Sequence, residues 1–166
     1  MIVIGRGQPP QWVWVSAARV QWMRARLAVV GLAVVGAALV FGIVLVAVGL
    51  KLPSSRNPIN VIGVMIAGLA AFWVLLAGLS LLGARSCAQR EHVDVNGARL
   101  VRRLLGVWWG GAIFCVLGAW FVEVMTFRRA PVMVGSALYL ALLAVIVVLG
   151  GVAFFAAGNI LRRARV

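Results

Sequence analysis

Apolar residues run in four long stretches, at 27–50, 59–84, 104–127 and 132–161, and the polar residues gather between them. Inside each stretch no clear polar face recurs. A helix that is hydrophobic all round belongs in a large core or in a bilayer. Crossing a hydrocarbon layer of roughly 30 Å takes about 20 apolar residues in helical form. Each stretch is long enough. The pattern predicts four transmembrane helices, an all-α integral membrane protein of one polytopic domain over 1–166. The last stretch exceeds one span, so it is expected to tilt or to enter the headgroup layer.

The polar segments carry their own patterns. In the N-terminal arm, 1–26, Trp12, Trp14 and Trp22 interleave with Arg19, Arg24 and Arg26. Trp and Arg both favour the headgroup layer. The arm is expected to form an interfacial helix from about Gln11, running on into the first span. It would anchor the protein at the membrane surface or dock a partner. In the loop 85–103, Asn96-Gly97 stands between alternating apolar runs. Asn-Gly suits a type I′ hairpin turn, which needs positive φ at both central residues. That register would pair Val95 with Ala98, Asp94 with Arg99 and Val93 with Leu100. In the competing reading Gly97 ends a turn and the third helix starts near Ala98.

Composition agrees with the membrane reading. Apolar residues make up 64% of the chain, charged residues 11%, and mean hydropathy is +1.10. Soluble domains hold about 25% charged residues, so a water-soluble fold is excluded. The net charge of +13 raises the question of nucleic acid. Its arginines, however, lie at the ends of apolar runs, where they set topology instead. Twelve of the 16 Lys and Arg residues fall in the N-terminal arm, the 85–103 loop and the C-terminal tail. The loops between the first and second and the third and fourth stretches hold the other four. Cytoplasmic loops carry the excess of Lys and Arg. Both termini and the 85–103 loop are therefore expected in the cytoplasm, in a plasma or bacterial inner membrane. The outer loops are too short to bind a soluble extracytoplasmic ligand. The residues before the first stretch, and the stretch itself, are too long for a cleaved signal peptide.

Small residues at four-residue spacing let membrane helices approach closely. The third stretch offers two adjacent stripes, Gly106 with Gly110 and Gly111 with Cys115 and Ala119. Packing inside a four-helix unit uses one close face per helix, so this stretch is the candidate for an outward interface. The arm's Trp12, Trp14 and Trp22 are the other interface candidates.

Ionisable groups inside spans mark functional sites by default, and the chain holds one, Glu123. It sits about 6 Å from the outer end of its span at 1.5 Å per residue. There it could snorkel, pair with a nearby cation, or meet the Tyr139 hydroxyl. His92 reads as a solvated loop residue. Cys87 and Cys115 show neither disulfide placement nor metal-ligand spacing. No nucleotide, hydrolase or metalloprotease motif is present, so no cofactor and no catalysis are expected. Two functions follow. One is an accessory, assembly or scaffold subunit of a larger inner-membrane complex, contacting lipids and other membrane subunits or copies of itself. The other is a homo-oligomeric channel or small-solute or lipid transporter with Glu123 near an outer vestibule.

Overall fold

The computed structural model describes residues 11–51, 58–89, 91–127 and 134–163. Its elements follow in the order β1 (Trp12–Trp14), α1 (Ala17–Lys51), α2 (Pro58–Gly83), β2 (Ala88–Gln89), β3 (His92–Asp94), α3 (Val95–Phe127) and α4 (Val134–Arg163). A 3₁₀ turn over Ala84–Cys87 joins α2 to β2. Four helices are long and apolar enough to cross a membrane. Large apolar side chains point outward on all of them, among them Ile43, Met65, Phe114 and Val148. Such surfaces fit a multi-pass membrane protein, whose helices face lipid rather than water.

The helices form an antiparallel bundle. α2 packs against α1, α3 and α4, while α4 also packs against α1 and α3. The register between α1 and α2 can be read from their glycines. Gly31 lies beside Leu82, Gly42 beside Ala71, and Gly49 beside Val64. The closest approach is at Gly78. A Cβ there would lie 3.1 Å from the Val35 backbone nitrogen and 3.2 Å from the Gly31 carbonyl oxygen. The two backbones nearly touch, as small residues allow in membrane helices. Across the α2–α4 diagonal the chains run parallel, with Tyr139 reaching Gly63 and Val74 lying beside Gly150. The core between the helices holds Leu27, Leu45, Val74, Leu81, Leu105, Leu143 and Ile146, all fully buried.

Two expectations for the polar segments are corrected. The arm is not helical from Gln11. Trp12–Trp14 form a strand, and the helix begins at Ala17. Alternating Trp and Val suit an extended backbone, and a partner strand is at hand. The Ser16 carbonyl accepts the first helical bond, from Val20 N–H at 3.1 Å, as an N-cap residue's carbonyl does. Asn96-Gly97 is not a hairpin turn either, because both residues lie in the first turn of α3. Asp94 caps that helix, its Oδ1 accepting the Asn96 N–H at 3.0 Å. The hairpin that does form lies earlier, pairing Ala88 with Val93 and Gln89 with His92. The competing reading, an early start to the third helix, came closer, although that helix begins at Val95 rather than near Ala98.

Candidate functional site

The site is built where the N-terminal strand meets the loop between α2 and α3. β1 pairs antiparallel with β3, Trp12 opposite Asp94, Val13 opposite Val93 and Trp14 opposite His92. With β2 this makes a three-stranded sheet in the order β1-β3-β2. Two further bonds extend the ladder, Val15 N–H to the Glu91 carbonyl at 2.8 Å and Val95 N–H to the Gln11 carbonyl at 3.0 Å. Antiparallel ladders alternate hydrogen-bonded and non-bonded pairs. The bonded positions therefore fall at Gln11, Val13 and Val15. The backbone groups of Trp12 and Trp14 point the other way, to the outer edge of β1, which is unpaired among the described residues. Asp94 reinforces the junction, because its Oδ1 also accepts the Gln11 N–H at 3.2 Å.

Side chains follow the same alternation. Val93 and its neighbour Ala88 are buried. Trp12, Trp14 and His92 share the opposite face of the sheet. The Trp14 and His92 rings lie 4.2 Å apart, and Trp12 meets His92 edge-on at 6.4 Å. Side chains of non-bonded antiparallel pairs sit closest, which accounts for the short Trp14–His92 distance. Trp14 is 71% exposed and Trp12 44%. Beside them an open groove of about 570 Å³ runs between Trp14, Glu91 and His92 on one side and Ala17, Val20, Gln21 and Arg24 of α1 on the other. Trp22 stands farther along α1, half-exposed, with the Arg26 guanidinium 5.7 Å from its ring centroid. The sequence reading missed His92 as a member of this cluster. Its only local signal was two-residue spacing from Asp94, and its partners lie about 80 positions earlier in the chain.

The small-residue stripes of α3 divide between two environments. Cys115 and Ala119 are buried, and a Cβ at Gly111 would lie 3.1 Å from the Trp73 ring of α2. This stripe is used inside the bundle. Gly106 faces the Phe154 ring of α4, while nothing lies within 4 Å of a Cβ at Gly110. Of the five candidates, Gly110 is the one facing open space. Nearby polar groups find partners within the bundle. Trp108 Nε1 donates to Ser80 Oγ at 3.1 Å, and Trp109 Nε1 to the Val147 carbonyl at 3.1 Å.

Tyr139 is fully buried and its hydroxyl donates to the Gly63 carbonyl at 3.5 Å, a long bond. Glu123 continues the backbone of α3, but its side chain lies outside the described residues, and with it the expected contact to Tyr139. Cys87 and Cys115 are free thiols. No group of three metal-ligating side chains occurs among the described residues. Compared with known proteins, the chain matches no protein family, no curated protein and no solved structure.

Proposed function

We propose that the protein is a small, non-catalytic accessory or assembly subunit of a larger inner-membrane complex. Arg24, Arg26, Arg85, Arg99, Arg102, Arg103 and Arg162 gather at the end of the bundle that carries the sheet, an excess of positive charge that supports a cytoplasmic position for this end. The observation that carries the reading is the outer edge of β1. It presents backbone groups at Trp12 and Trp14 that are unpaired among the described residues, beside exposed indoles and an open groove. A free sheet edge takes an extended segment of a partner by strand addition, and exposed Trp is a common anchor at interfaces. Gly110 offers a second contact, for a helix of a neighbouring subunit. The channel reading rests on Glu123, about whose side chain the described residues say nothing.

The test is purification of the full-length protein in mild detergent, followed by native mass spectrometry. Other membrane subunits are expected at fixed stoichiometry. Gly110→Leu on the helix face is expected to lower their recovery while leaving the melting temperature of the isolated chain unchanged, and Trp14→Ala to lower recovery with only the small stability loss of one cross-strand ring contact. A clean homo-oligomer without other subunits refutes the accessory role.

A further inference from the structure

Arg99, Arg102, Arg103 and Gly106 fall at i, i+3, i+4 and i+7 of α3 and so share one helix face. Phe154 of α4 stands opposite, and a Cβ at Gly106 would lie 3.5 Å from its ring. Together the five residues line an open groove of about 400 Å³ at the α3–α4 seam. The Arg102 guanidinium sits 5.9 Å from the Phe154 ring centroid. Arg99 donates to Asn96 Oδ1 at 3.3 Å, which uses one of the five N–H groups on a guanidinium. No carboxylate lines the groove among the described residues. Like charges at i, i+4 on a helix repel, and guanidinium stays protonated at any physiological pH. Three such groups converging on one groove therefore call for an anion.

The shape of the groove selects among anions. Its floor is apolar, formed by Gly106 and Phe154. The same face of α3 continues past Gly110, where space is open, to Phe114, which is 79% exposed. An anion carried on a hydrocarbon chain would satisfy both parts at once, with its charge among the arginines and its tail along the helix. Basic pockets between membrane helices bind anionic lipid headgroups in this manner, and guanidinium matches phosphate through paired N–H donors.

We propose that this groove binds the phosphodiester headgroup of an anionic diacyl phospholipid, held by Arg99, Arg102 and Arg103, with its acyl chains lying along Gly110 and Phe114. The site requires the helices to lie in a bilayer; its headgroup contacts do not depend on the accessory role, and its acyl chains would share the Gly110 surface with the helix contact proposed above.

The test is native mass spectrometry of the full-length protein titrated with phosphatidylglycerol, phosphatidylcholine or inorganic phosphate. Phosphatidylglycerol is expected to bind at least tenfold more tightly than phosphatidylcholine. Arg102→Gln and Arg103→Gln should each weaken it about fivefold, the effect of one basic residue near an anionic surface. Arg85→Gln removes the same charge from the 3₁₀ turn at the same end of the bundle and should leave affinity unchanged. Melting temperatures in lipid-free detergent confirm that each variant is folded. Equal losses for Arg85→Gln and Arg103→Gln would mean that total charge, not the groove, attracts the lipid, and would overturn the site. So would equal binding of the two lipids. Inorganic phosphate that displaces phosphatidylglycerol at millimolar concentration would reassign the groove to a free ion.

Discussion

Asp94 holds three segments with one carboxylate oxygen. Its Oδ1 accepts N–H groups from Asn96 in the first turn of α3 and from Gln11 ahead of β1, while its backbone ends β3. Replacing an N-cap Asp by Ala costs about 0.5–2 kcal/mol. Asp94→Ala is expected to fall near the upper end, because two donors lose their acceptor. Hydrogen exchange should quicken together at the Gln11 and Asn96 amides, and unchanged protection at Gln11 would refute the coupling. Gly97 is equally constrained, since a Cβ there would lie 2.7 Å from Asp94 Oδ2 and 2.9 Å from Cys87 Sγ. Gly97→Ala should therefore lower the melting temperature despite alanine's better helix propensity. At this scale the sequence was misleading for a definite reason. Asp94-Val95-Asn96-Gly97 contains both a helix cap and a hairpin turn. The structure uses the cap, and Gln11, far away in the chain, donates to the same carboxylate oxygen.

Helices were far more legible as elements than their ends were. All four apolar stretches became helices, but α1 starts ten residues before its stretch and α3 nine residues before. Hydropathy marks where a helix meets lipid, whereas backbone capping decides where it begins. Ser16 and Asp94 begin α1 and α3 in the polar zone, so Arg19, Arg24, Arg99 and Arg102 ride on helical turns rather than loops. The pairing of helices was not legible, because small residues recur on several faces. Gly78 shows what the structure adds. Gly78→Val should destabilise the bundle by about 1–3 kcal/mol, the range for overpacking, since the Val35 and Gly31 backbones have no room to yield. Gly36→Ala, where nothing lies within 4 Å, should cost nothing and gain up to about 1 kcal/mol from alanine's better helix propensity. Unfolding titrations in detergent separate the two. For the sheet, Val13→Pro removes the N–H at a bonded position of β1 and should detach the strand. The loss would appear as a changed Trp emission spectrum with the helical circular dichroism intact.

Over the whole molecule, the sheet makes a statement about topology that charge counting makes separately. β1 precedes α1 and β3 follows α2, yet the two strands are paired. The N-terminal strand and the α2–α3 loop must therefore share one side of any membrane the helices cross. An even number of crossings lies between them, and inverting α1 alone would break the sheet. Moving arginines to the opposite loops should consequently flip the chain as a unit or leave it unchanged. A reporter fused after Val166, active only outside the cytoplasm, is expected to stay silent in the native protein and to show activity if the orientation is reversed.

The pairing of Trp12–Trp14 with His92–Asp94 also sets an order in time. The strand that leaves the ribosome first must wait for a partner some 80 residues behind it, so during insertion of the first helical hairpin its indoles have no His92 to stack on. Closure of the sheet therefore cannot precede the synthesis of α1 and α2, which lie between its strands. A chaperone or partner subunit that reads the N-terminal strand would meet both of its edges early in synthesis, and afterwards only the outer edge, which is unpaired among the described residues.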